Sequence, residues 1–197
     1  MTFPPGARLG PYEIRRANPV TGLGEVYDAR DHERDRDVSL QVIPLSFGGD
    51  SQRRQRFERE VNAAARVEHP HLLTVHDVGA DAQAAYIISE PLNARTLREV
   101  LDDGPIPPGA GIPFVPQIED AVRAAHGHGV VHGHLTPDAI LFMPGGVKVI
   151  GFGLSAVNGK GDASTSGDWA AFRELSSMLG APVTDTARRR WRSPQLR

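Results

Sequence analysis

Four histidines fall within nine residues, His126, His128, His132 and His134 in HGHGVVHGH. A neutral imidazole is both a zinc ligand and a base that titrates near neutrality, so the cluster raises two chemistries, metal binding and proton transfer. The spacing counts against zinc. A helical apolar pattern carries the first pair and gives way to a glycine-containing loop before the second, and the chain has no cysteine to complete a mixed ligand set. His134 then stands as a candidate base and His132 as a packed residue. Ser164, Thr165, Ser166 and Ser193 are candidate phosphoacceptors, and five arginines around Trp191 form a basic end, read first as a solvated tail.

The elements that position these residues change character along the chain. Segments 11–17, 24–30 and 37–44 read as strands separated by Gly, Pro, Asn and Asp turns. Residues 51–67 read as an amphipathic helix with Ser51 as N-cap and Phe57, Val61 and Ala64 as its stripe. Segments 71–79 and 84–92 add two strands, giving five in one antiparallel sheet with a helix against it. Beyond them come helices at 94–101 and 117–126, the second carrying Ile118, Ala121, Val122 and Ala125 on one face with Pro113 and Pro116 delaying its start. A strand at 145–151 and a polar Gly/Ser stretch at 158–167 lead to a final helix from Asp168, read as its N-cap.

Composition sets outer bounds. The chain has 197 residues, 40% hydrophobic and 23% charged, enough to build a core and outside the range of disordered proteins. A net charge of −2 gives no global attraction to nucleic acid or anionic membrane, so neither is an expected partner. The absence of cysteine excludes disulfides and thiol catalysis. No stretch approaches the roughly 18 apolar residues of a membrane span and no apolar leader opens the sequence, so a cytoplasmic location is expected.

Six stretches together resemble the bacterial Ser/Thr protein kinases. TGLGEVYDARD followed by DVSLQVIP is similar to the Gly-rich loop and the strand carrying V-A-I-K. VEHPHLLTVHDVG and AAYIISEPLNARTLREVL resemble the next two strands and the hinge. GVVHGHLTPDAILF matches H-R-D-L-K-P-x-N-I-L at His132, Leu135, Pro137, Ile140 and Leu141, and SGDWAAFRELSSMLG resembles the family's anchoring helix, with Asp168 as the anchor. The resemblance implies an α+β, bilobal protein-kinase-like domain over 10–180. Its N-lobe, about 10–92, holds a five-stranded antiparallel sheet plus one helix. Its C-lobe, about 93–180, is truncated, reduced and mainly helical, and a basic tail follows at 181–197. A C-lobe without its remaining helices is expected to expose apolar surface beneath the last one.

The reactive positions depart from the family. Gln41 stands at the lysine of V-A-I-K, His134 at the catalytic Asp, Thr136 at the Lys, Ala139 at the metal-binding Asn and Gly151 at the Asp of D-F-G. The first two loop glycines fall on Pro19 and Thr21, leaving Gly24 and Val26. By resemblance, Glu60 is the helix glutamate, Ser89 the gatekeeper, Glu90 to Leu92 the hinge, and Ala64, Val75, His132 and Phe152 the regulatory spine. Val26, Ser89, Glu90, Leu92 and Leu141 outline a degenerate nucleotide cleft. Magnesium requires oxygen ligands that Ala139 and Gly151 do not supply. The implied function is therefore a catalytically inactive pseudokinase, with no cofactor and no Mg2+, that binds a protein partner, an active Ser/Thr kinase among the candidates. The alternatives are a weak, metal-independent ATP sensor or a residual kinase. Only fourteen residues separate Gly153 from Asp168, which leaves no room for an ordinary activation segment.

Overall fold

Alternation of buried and exposed side chains builds the first half, as expected of strands with one face on a core. The structure is a computed structural model that describes residues 3–19, 24–44, 51–80, 84–154 and 163–180. The five expected strands are β2 (Tyr12–Ala17), β3 (Glu25–Asp31), β4 (Arg36–Pro44), β5 (Val75–Ala80) and β6 (Ala84–Ser89). A two-residue strand, β1 (Arg8–Leu9), pairs with β2 and makes the sheet six-stranded, antiparallel throughout, in the order β1-β2-β3-β4-β6-β5. Two residues are too few for alternation to register, so no periodic signal marks β1. Asp31 closes the β3–β4 turn, its buried carboxylate accepting the Glu33 and Arg34 backbone N–H groups at 3.1 Å and Arg36 at 3.3 Å.

One sheet face packs Tyr12, Ile14, Tyr27, Leu40 and Ile88 together. The other receives α1 (Ser51–Ala65), whose Phe57 and Val61 pack against Ile43, Ile87 and Leu154. The stripe read from the sequence is the one buried.

The second half holds α2 (Leu97–Asp102), α3 (Val115–Gly127), α4 (Thr165–Met178) and a small sheet of β7 (Arg95–Thr96), β8 (Ile140–Met143) and β9 (Gly146–Val149). The helix expected from Ala94 starts three residues later, because Thr96 and Glu99 form a reciprocal capping box and Thr96 itself pairs in β7. Pro113 lies in a 3-10 turn, Ile112–Phe114, that leads into α3, and Pro116 takes the first turn of the helix, where no N–H is needed. The N-cap of α4 is Ser164 rather than Asp168. The Ser164 hydroxyl accepts the Gly167 N–H at 3.1 Å, which frees Asp168 to turn inward, and Thr165 and Ser166 form the helix's first turn rather than a loop.

The apolar surface expected beneath α4 is mostly covered. Phe172, Leu175 and Leu179 join the core built on α3, while Met178 of α4 and Ile112 are the large exposed hydrophobics among the described residues. No helix of the described residues is long and apolar enough to cross a membrane. The basic tail, Ser193 and Thr21 lie outside the described residues.

Phe57 is fully buried at the only helix packed on the N-terminal sheet among the described residues. Phe57→Ala is expected to lower unfolding free energy by about 3–5 kcal/mol, read from a urea titration. A loss under about 1 kcal/mol would mean that α1 is not seated on the sheet.

Candidate functional site

Between α3 and β8 the chain has little regular structure of its own, and a single carboxylate holds it. Asp168, 1% exposed at the start of α4, accepts the His132 N–H and the His126 Nε2–H on Oδ2 and the Gly133 N–H on Oδ1, each at 2.8 Å. Burial alone would raise this carboxyl. The bonds from His126 and the two backbone donors outweigh it and hold the group below the ordinary aspartate value.

The histidines that suggested a metal are thereby separated. His126 serves Asp168, and His128 bonds the Ala124 carbonyl at 2.9 Å. His132 is buried, its Nε2–H donating to the Ile150 carbonyl at 2.8 Å while Nδ1 accepts the His134 N–H at 3.3 Å. His134 is exposed. Among the described residues no three His, Cys, Asp or Glu side chains come together as a metal site.

The other candidate residues sit on the walls around this loop. Ala139 is buried, its N–H donating to the Thr136 carbonyl and its carbonyl accepting the Ile150 N–H, both at 2.9 Å. Next to it in sequence, Asp138 receives the Thr136 hydroxyl at 3.4 Å and lies 3.6 Å from Arg98. At Gly151, φ is +89°, and a Cβ there would stand 3.6 Å from the His132 ring. Gln41 lines a narrow cavity of about 40 Å³ with Val61, Ala64, Val75, Ile87 and Phe152. Glu60 bonds Arg56 on its own helix at 2.6 Å. Gly153 is required twice over, since φ is +82° and a Cβ would lie 2.7 Å from the Val61 Cα of α1.

The cleft residues Val26, Leu92 and Leu141 are buried and belong to one packed cluster with Ala139. The Leu92 N–H donates to the Ser39 hydroxyl at 2.9 Å, and its carbonyl accepts Asn18 Nδ2–H at 3.0 Å. Ser89 donates its hydroxyl to the Glu90 carbonyl at 3.1 Å. Glu90 is strapped across the molecule. Its carboxylate takes Lys148 Nζ at 2.5 Å and the Thr74 N–H at 2.8 Å, and although partial burial would raise it, these partners hold it low.

Residues 21–172 match the family model described as the protein kinase domain. The chain belongs to the protein kinase family. Its relatives include bacterial Ser/Thr kinases: PknD of Mycobacterium tuberculosis, 34% identical over 69% of this chain, and PrkC of Bacillus subtilis, 31% identical over 76%. The matches cover 21% and 24% of those proteins, so the chain spans about a quarter of their length or less. The crystal structure of the Mycobacterium tuberculosis PknI kinase domain superposes with a TM-score of 0.77 over 98% of this chain and 82% of that one, at 24% identity, a likeness of fold.

In this kinase-family fold the residues read as a spine do come together: Ala64, Val75 and Phe152 line one cavity, and the His132 and Phe152 rings meet edge to face at 4.7 Å. Ser39 and Asn18 went unread in the sequence, because neither carries a local signal of a partner 53 or 74 residues away.

Burial pushes His132 below the ordinary histidine value. The unfolded chain takes up that proton near pH 6.5 while the folded one does not, so this contribution is present above pH 6.5 and declines as the pH falls below it, by at most about 1.4 kcal/mol per pH unit. His69 and His76, depressed by partial burial, act in the same direction. The urea midpoint is expected to fall between pH 7.5 and 5.5, with a shallower fall in His132→Gln. Equal slopes in the two proteins would contradict a neutral, buried His132.

Proposed function

We propose that this protein-kinase-family domain does not transfer phosphate and acts by binding, as a regulatory or scaffolding pseudokinase. One observation carries the reading. Asp168 holds the His132 and Gly133 amides of the loop between α3 and β8, yet the side chains at its reactive positions are an exposed imidazole at His134, a hydroxyl at Thr136 and a methyl at Ala139, with no side chain at Gly151. Phosphoryl transfer depends on positioning and on neutralising phosphate charge through metal and lysine. Gln41 brings no charge, Ala139 and Gly151 bring no oxygen, and Asp138 is engaged with Thr136 and Arg98. His134 as a base would supply only the smaller part of the rate.

The binding reading assigns the partner to the protein class. The outer face of α1 presents Gln52, Gln55, Arg59 and Asn62 to solvent, a polar, hydrogen-bonding surface on an element that also touches Gly153. An active Ser/Thr kinase is the partner we favour, in the cytoplasm, with the basic tail as a second contact.

The test is thermal melting with and without millimolar ATP, in magnesium and then in EDTA, together with incorporation of labelled phosphate into the chain and into a general acceptor protein. A ligand present at a hundredfold its Kd stabilises by about 2.7 kcal/mol, which is about 5 °C or more in a domain of this size. The expected result is no shift in either medium and no labelled product. Incorporation of phosphate would overturn the reading, and a shift that persists in EDTA would favour the nucleotide-sensor alternative.

A further inference from the structure

We propose that the hydroxyl of Ser39 occupies the hinge donor that a planar nitrogen base would need, so that this one side chain closes the cleft to adenine. The proposal rests on the reading of the domain as inactive and deepens it: the loop residues govern whether phosphate moves, and Ser39 governs whether the base enters.

The bond from Leu92 N–H to Ser39 Oγ is 2.9 Å long and buried, with Ser39 1% and Leu92 4% exposed. A backbone donor already satisfied in the interior offers a ligand no net gain. An incoming acceptor must displace the hydroxyl, and the displaced hydroxyl is then itself buried without that partner. The neighbouring acceptor is taken as well, since the Leu92 carbonyl receives Asn18 Nδ2–H, a side chain also bonded to Asp28 at 2.6 Å. The Leu92 donor is therefore taken, and one of the two lone pairs of its carbonyl is already engaged. Val26 and Leu141 have the apolar character to sandwich a flat ring, and both belong to the same packed cluster as Leu92.

Strand register explains why the role falls to Ser39. Val38, Leu40 and Val42 of β4 face the outer core, so Ser39 and Gln41 face the other way, and Ser39 pairs with Ser89, three residues from Leu92. In the family tetrapeptide V-A-I-K this position is alanine, whose methyl group accepts nothing. With alanine here, the Leu92 N–H would be buried and unpaired until a ligand supplied an acceptor.

The experiment titrates adenosine, which carries no phosphate, into the wild-type chain and Ser39→Ala by calorimetry, and measures hydrogen exchange at the Leu92 amide of the wild type. Adenosine is expected to bind Ser39→Ala at least about tenfold more tightly than wild type, the worth of roughly one hydrogen bond. The Leu92 amide is expected to exchange as slowly as its core neighbours. Equal affinities in the two proteins, at any strength, would overturn the proposal. So would fast exchange at Leu92 in the wild type, a measurement that needs no variant to fold. Because adenosine has no phosphate to transfer, a null result bears on the hinge alone, whereas labelled phosphate incorporated from ATP bears on the reading of inactivity.

Discussion

The Asp168 carboxylate carries the second half of the molecule. Three donors converge on it, two of them backbone N–H groups of a loop with no ladder of its own, and hydrogen bonds to a charged acceptor contribute about 1.5–3 kcal/mol each. Through them α4 is tied to the loop, and His126 ties the end of α3 to the same point. The Trp169 ring, next along α4, meets His126 edge to face at 5.4 Å and closes the joint on its outer side. His132, fixed by its backbone, can then place its ring between the Ile150 carbonyl and Phe152. A change at Asp168 would therefore be felt in α3, α4 and the loop together.

Shape and chemistry separate cleanly in this arrangement. The hydrogen bonds that Asp168 and His132 make to hold residues 132–134 use backbone groups and the side chains of His126, His132 and Asp168, and no side chain at an altered reactive position. Gln41, His134, Thr136, Ala139 and Gly151 could depart from the family without disturbing the carboxylate that holds the loop. The hinge follows the same logic from the other side. The Leu92 backbone groups are bonded by Ser39 and Asn18, and Glu90 is anchored by Lys148, one of the two lysines in the sequence. Buried polar groups must find partners, and here the chain supplies them itself.

How much of this could be read from the sequence depended on the range of the interaction. The alternating strands, the Phe57–Val61–Ala64 stripe and the apolar face of α3 are local periodicities, and they were legible. The family pattern singled out the loop and, in Asp168, the carboxylate that bonds it, even though local rules alone made that residue an N-cap. Ser164 takes the cap instead, a choice between two good capping residues that only the burial of Asp168 decides. The Thr96–Glu99 capping box was present as T-x-x-E and moves the start of α2. By contrast, β1 is too short to show a period, and the Ser39–Leu92 and Asn18–Leu92 bonds join distant segments through tertiary packing, so no window of sequence contains them.

The central claim is that the loop keeps its family shape without needing the family's ligand. The most direct test is hydrogen exchange at the His132 and Gly133 amides of the intact chain, with and without magnesium and ATP. The account predicts slow exchange at both amides and the same rates in the two conditions, because Asp168 already holds both protons. Fast exchange that slows only when magnesium and ATP are added would contradict it, since the loop would then owe its order to a nucleotide.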